Sequence, residues 1–128
     1  GLFIGYAGTT ATLTINAVGS GEEWVVVTGT SQTIAASFGY FSNNAGTVTF
    51  TLPVTSIVGD SFSIIGIQGS WTIAQNASQN IRIGSNISTT GVGGSVASTA
   101  LGDSVNLVCS VANTSWVDQG GQGNLTVT

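Results

Sequence analysis

Alternation of apolar and polar residues is the dominant pattern along the chain. It is clearest in Thr47-Val48-Thr49-Phe50-Thr51-Leu52, where Val48, Phe50 and Leu52 share one side and three threonines the other. Successive side chains of a strand point to opposite faces, so this period of two predicts a half-buried strand. The same holds for Leu13, Ile15 and Ala17, for Ile81 and Ile83 around Arg82, and for Leu125 and Val127 around Thr126. Further strands are expected over Trp24 to Thr28, Phe62 to Ile67, Trp71 to Ala74 and Val105 to Val111. Clusters of Gly, Asn, Asp and Ser separate them, such as Val58-Gly59-Asp60-Ser61, and these residue types favour tight turns.

About eight to ten short strands result, with no helical window between them. That predicts an all-β fold, a jelly-roll-like β-sandwich of antiparallel strands. Trp24, Trp71 and Trp116 recur at intervals of roughly 45 residues, and Gln32 and Ile34 follow the first as Gln79 and Ile81 follow the second. This echo leaves a threefold β-trefoil as the alternative, although no Gln follows Trp116 in the same place. A chain of 128 residues is expected to form a single β domain, 1–128, with a core of its own.

Composition sharpens the picture. Charged residues make up 5% of the chain, where about 25% is ordinary. The surface must therefore be built from Thr, Ser, Asn, Gln and backbone, which suits strands and turns better than helices faced with Glu and Lys. Arg82 is the sole cation against Glu22, Glu23, Asp60, Asp103 and Asp118. No basic stripe exists to neutralise phosphates, so nucleic acid is not an expected partner. No apolar run approaches the roughly 20 residues of a spanning helix, so membrane insertion is not expected either. No charged-then-apolar signal opens the chain; removal of a signal, or release by lysis, would each account for that. With so few charges to hold copies apart, self-association is favoured.

The same composition narrows the chemistry. The chain has no His and one Cys, so it has no Ser-His-Asp triad, Cys-His pair or His-rich metal site. An Asp-rich calcium loop is also missing. Neither enzymatic activity nor a metal or cofactor is expected. Cys109 falls in the inward run Val105, Leu107, Cys109, Val111 and reads as a core thiol. Asp60 and Asp103 lie in Gly-Asp-Ser turns ahead of apolar strands, where the side chain caps the turn's own amides. A glycan hydrolase using one of these carboxylates is the enzyme alternative.

Aromatic rings stack on sugars, and neutral amides and hydroxyls beside them meet sugar hydroxyls. Tyr40, Trp71 and Trp116 are the candidate ligand-binding residues on that ground. The competing reading assigns Trp24, Trp71 and Trp116 to the core. Asn76, Asn86, Asn113 and Asn124 each begin an Asn-X-Ser/Thr acceptor sequence. Gly91, Gly93 and Gly94 are expected to allow a turn or a close approach between subunits.

Several stretches carry a resemblance. They are Trp71-Thr72-Ile73-Ala74-Gln75-Asn76-Ala77-Ser78-Gln79-Asn80-Ile81, then Ser88 to Thr99, Gly102-Asp103-Ser104-Val105-Asn106-Leu107-Val108-Cys109, and Asn113-Thr114-Ser115-Trp116. Together these resemble β-rich domains of tail-fibre and other virion proteins of tailed phages and prophages. The resemblance covers residues 24–128 and leaves 1–23 outside it as an N-terminal strand region. It departs at Val117-Asp118-Gln119-Gly120-Gly121, which stands where an apolar strand is expected and predicts an irregular edge near Trp116.

The resemblance implies a virion structural or adhesion module of the tail-fibre or capsid-decoration type. It further implies a homotrimer that sits among other virion proteins, located in the virion or outside the cell, and binds host-surface glycan. Leu2, Phe3, Ile4 and Tyr6 lie in the apolar stretch Gly1 to Gly8 and are the expected oligomer contacts. That stretch also supports the alternative of a self-assembling extracellular filament subunit that polymerises by strand donation through its N-terminal segment.

Overall fold

The computed structural model describes residues 22–128. The four expected contacts Leu2, Phe3, Ile4 and Tyr6, and the strand expected around Leu13 to Ala17, lie outside the described residues. Among the described residues there are twelve strands and no helix. In chain order they are β1 (Glu23–Val27), β2 (Ser31–Thr33), β3 (Phe38–Ser42), β4 (Val48–Thr51), β5 (Ser61–Gly66) and β6 (Trp71–Ala74). There follow β7 (Asn80–Ile83), β8 (Asn86–Ile87), β9 (Ser95–Ala97), β10 (Ser104–Val111), β11 (Ser115–Asp118) and β12 (Thr126–Val127).

The strands form two sheets. A seven-stranded sheet runs β1-β3-β5-β10-β11-β7-β8, and a five-stranded sheet runs β12-β9-β6-β4-β2. Alternation explains the core. Val48 and Phe50 of β4, Trp71 and Ile73 of β6, and Val105, Leu107 and Cys109 of β10 are all buried, while their neighbours along each strand are less so. Phe62, Ile64, Ile81 and Trp116 join them in one cluster.

Strand direction differs from the expectation. Five strand pairs are parallel and five antiparallel, so the sheets are mixed rather than antiparallel throughout. From β1 to β6 the chain alternates between sheets, with β1, β3 and β5 parallel neighbours in one and β2, β4 and β6 in the other. Parallel neighbours need a long crossover, usually a helix. Here a strand of the opposite sheet is the crossover, so each turn of this winding contributes to both layers. The three tryptophans do not mark a threefold repeat either: Trp71 lies in the five-stranded sheet, and Trp24 and Trp116 at separate places in the seven-stranded one.

The second half closes the sandwich. β10 pairs antiparallel with β5, and β11 pairs antiparallel with β10 and parallel with β7. Ser115–Asp118 is therefore an internal strand, where the sequence predicted an irregular edge. Asp118 fits because its carboxylate turns to the backbone amide of Gly120, 3.2 Å away.

Candidate functional site

The expected aromatic site is not on the surface. Tyr40, Trp71 and Trp116 are 2%, 1% and 0% exposed and belong to the core, so none offers a ring face to a sugar. Their polar atoms are turned inward too. The Tyr40 hydroxyl accepts the Ala35 amide at 2.8 Å, and burial raises the Tyr40 pKa against that lowering bond. The Trp71 indole donates to the Asp103 carbonyl at 3.0 Å. Trp116 packs edge-on against Phe62, with ring centroids 5.1 Å apart, and its indole nitrogen is buried without a partner.

Trp24 behaves in the opposite way. Val25 and Val27 of β1 point inward, so Trp24 and Val26 point out, and Trp24 is 41% exposed. The core assignment for Trp24 fails because every residue from Trp24 to Val27 is apolar, so hydrophobicity carries no phase. Its indole stacks on Phe41 with centroids 4.7 Å apart.

This ledge sits on the outer face of the seven-stranded sheet. One row across that face reads Val26, Phe41, Ile65, Ser104, and another reads Ser61, Val108, Val117, Arg82, Ile87. Such a face would ordinarily carry Lys and Glu. Here it carries apolar and neutral side chains and two charges: Arg82 of β7, and the Glu22 carboxylate, which accepts from Ser63 of β5 at 2.8 Å and whose other oxygen is buried without a partner.

Arg82 also borders a groove of about 310 Å³ on this face, together with Asn80, Ile87, Ser110, Ser115 and Val117. The groove lies where β10 bulges: the register against β11 shifts between Cys109 and Val111, leaving Ser110 as the extra residue. A bulge bends its strand and re-aims a side chain. The Ser110 hydroxyl makes only a long bond of 3.4 Å to the Ser115 carbonyl.

The carboxylates of the two Gly-Asp-Ser turns are committed to backbone. Asp60 accepts the Ile57 amide at 3.0 Å, and Asp103 accepts the amides of Ala100 at 3.0 Å and Thr99 at 2.8 Å. Both turns are built alike: Asp60 donates its own amide to Ile57 and Asp103 to Ala100, with Gly59 and Gly102 at positive φ between. This is the capping expected from the repeated Gly-Asp-Ser. The Thr99 amide foremost, then Ala100 and the Thr99 hydroxyl, hold the Asp103 carboxyl below its ordinary range against the opposing effect of burial.

Sequence reasoning missed a second buried polar cluster. The Gln75 side-chain amide lies 2.8–2.9 Å from the carbonyls of Gln79, Thr89 and Gly91. Ser88 donates to Gln75 Oε1, and Gln79 bridges from the Asn76 amide to the Pro53 carbonyl. Gly94 packs against this cluster, where a Cβ would collide with the Thr89 carbonyl, so its close approach is within the chain. These groups tie loops together. Among the acceptor asparagines, Asn76 is half-buried with its amide donated to Leu52, whereas Asn86, Asn113 and Asn124 are exposed.

Cys109 is buried, with its thiol 3.2 Å from the Val111 carbonyl. Among the described residues no group of three or more His, Cys, Asp and Glu side chains converges as a metal site would require. No protein-family model matches the chain, and neither does any curated protein.

Proposed function

We propose that the chain is a non-enzymatic virion structural or adhesion module, of the tail-fibre or capsid-decoration type. In this reading it works as a homotrimer among other virion proteins, in the virion or outside the cell, and meets host-surface glycan. The observation that carries the reading is the outer face of the seven-stranded sheet, where Trp24, Val26, Phe41 and Ile65 stand in place of charged residues. An apolar sheet face of this kind is a self-association surface, and the near absence of charge removes the repulsion that would keep copies apart. The occupant of this face is a second copy of the chain. A jelly-roll description survives only as a broad likeness of two packed sheets, because the winding from β1 to β6 is parallel.

Placing a charge on the face tests the reading. Val26 is exposed, so Val26→Lys is expected to leave the fold intact and convert oligomer to monomer in sedimentation velocity. An oligomer unchanged by both Val26→Lys and Ile65→Lys would contradict the use of this face.

One observation favours a second reading. β1 and β2 follow each other in the chain, and among the described residues each is the edge strand of its own sheet. Unpaired edges accept added strands, which is what a filament subunit polymerising by strand donation from an N-terminal segment requires.

A further inference from the structure

The groove beside the β10 bulge brings a cation, an amide and two hydroxyls together. Arg82 is the only cation of the chain, and it stands on the strand face without an ion pair. All five carboxylates lie among the described residues. Asp60 and Asp103 cap their own turns, Asp118 bonds the Gly120 amide, and Glu22 accepts from Ser63 at 2.8 Å. Glu23 lies on β1, at the opposite edge of the sheet from β7 and β8. An exposed guanidinium in so neutral a chain gives no measurable stability through pairing, yet it retains five donors in a planar fork.

The other walls supply complementary chemistry. Asn80 pairs with Ser115 across β7 and β11, which puts an amide and a hydroxyl side by side at one end of the groove. Ser110 adds a second hydroxyl from the bulge. Val117 and Ile87 flank Arg82 on its two sides in the cross-strand row. A volume of about 310 Å³ lies at the lower end of small-ligand sites, roughly 300–1,000 Å³, and suits one ring rather than an oligosaccharide.

We propose that this groove binds the carboxylate-bearing ring of an acidic sugar of the uronic-acid type. The guanidinium of Arg82 pairs with the carboxylate through two parallel N–H···O bonds. Asn80, Ser110 and Ser115 meet the ring hydroxyls, and Ile87 and Val117 cover its C–H surface. One guanidinium with no second cation matches the single charge of a planar carboxylate and falls short of the near-double charge of a phosphate monoester. The inference deepens the glycan-attachment part of the proposed function and rests on that part alone.

The test uses the whole chain and a matched pair of probes, methyl glucuronide and methyl glucoside, which differ in the carboxylate. In a ¹⁵N-correlation titration, glucuronide is expected to shift the amides of Arg82, Ser110, Ser115 and Val117, and glucoside is not. Arg82→Gln, with an otherwise unchanged spectrum as its folding control, is expected to weaken glucuronide binding at least roughly tenfold, the loss of one charge-assisted bidentate pair. Raising salt from about 20 mM to about 500 mM is expected to weaken it as well. Equal shifts with both probes, no shift with either, or binding indifferent to Arg82→Gln would overturn the proposal. Acetate giving the same shifts at the same concentration would overturn its sugar part. A trimeric chain that ignores glucuronide defeats the groove and leaves the assembly reading standing, whereas a monomer that binds it does the reverse.

Discussion

The indole of Trp24 lies over Gly39 of the neighbouring parallel strand, so close that a Cβ on Gly39 would stand 2.5 Å from the ring. Gly39 is buried although it faces outward, because the Trp24 ring does the covering. Glycine in a strand lacks a side chain to pack, and a large aromatic on the paired residue restores that contact. Gly39→Ala is therefore expected to destabilise the fold by about 1–3 kcal/mol by overpacking. Trp24→Ala in the same chain is expected to cancel most of that loss in a double-mutant cycle read by denaturant unfolding. Additive effects would show that ring and glycine are not in contact.

Asp103 gives a pH signature. Its folded pKa is lowered, chiefly by the Thr99 amide, so the stability it contributes is fully present above its unfolded value, about 4. That stability is lost as pH falls through the lowered folded value. The stability difference between wild type and Asp103→Asn is thus expected to be constant from about pH 5 upward and to shrink below about pH 4. Urea unfolding across pH 2 to 7 measures it, and a pH-independent difference would refute the role of the carboxylate charge.

The two buried tryptophans are expected to respond differently to loss of the indole nitrogen. Trp71 donates to the Asp103 carbonyl, while the Trp116 nitrogen has no partner. Both rings are almost wholly buried, so the cavity left by a Phe is similar. Trp71→Phe is expected to destabilise more than Trp116→Phe by about 1 kcal/mol, one hydrogen bond. Equal losses in thermal unfolding would contradict this assignment.

How far the sequence foretold the molecule depends on what each signal encodes. Val48, Phe50 and Leu52 are all buried and the threonines between them half-exposed, because side-chain alternation depends only on the strand itself. Alternation carries no information on direction, so the parallel pairing of β3 with β5 was invisible in it. Short strands such as Ser31–Thr33 and Asn86–Ile87 have no apolar run to announce them. The Gly-Asp-Ser turns were legible because a cap is a local bond between residues three apart. Of the site, Arg82 was visible as the lone cation, but the groove beside it needs the bulge at Ser110 and the contact of β11 with β7, both set by long-range packing.

The filament reading makes its own expectation. If the edges of β1 and β2, which end their sheets among the described residues, receive a donated strand, removing residues 1–8 should abolish any polymer seen by electron microscopy. Filaments persisting in that truncated chain would rule out donation through this segment.

The central claim is that the apolar outer face around Trp24, Val26, Phe41 and Ile65 is covered by other copies of the chain. Native mass spectrometry of the wild-type chain addresses it directly. A species of three chains, dissociating on Val26→Lys, is the expected result. A stable monomer at micromolar concentration would contradict the account.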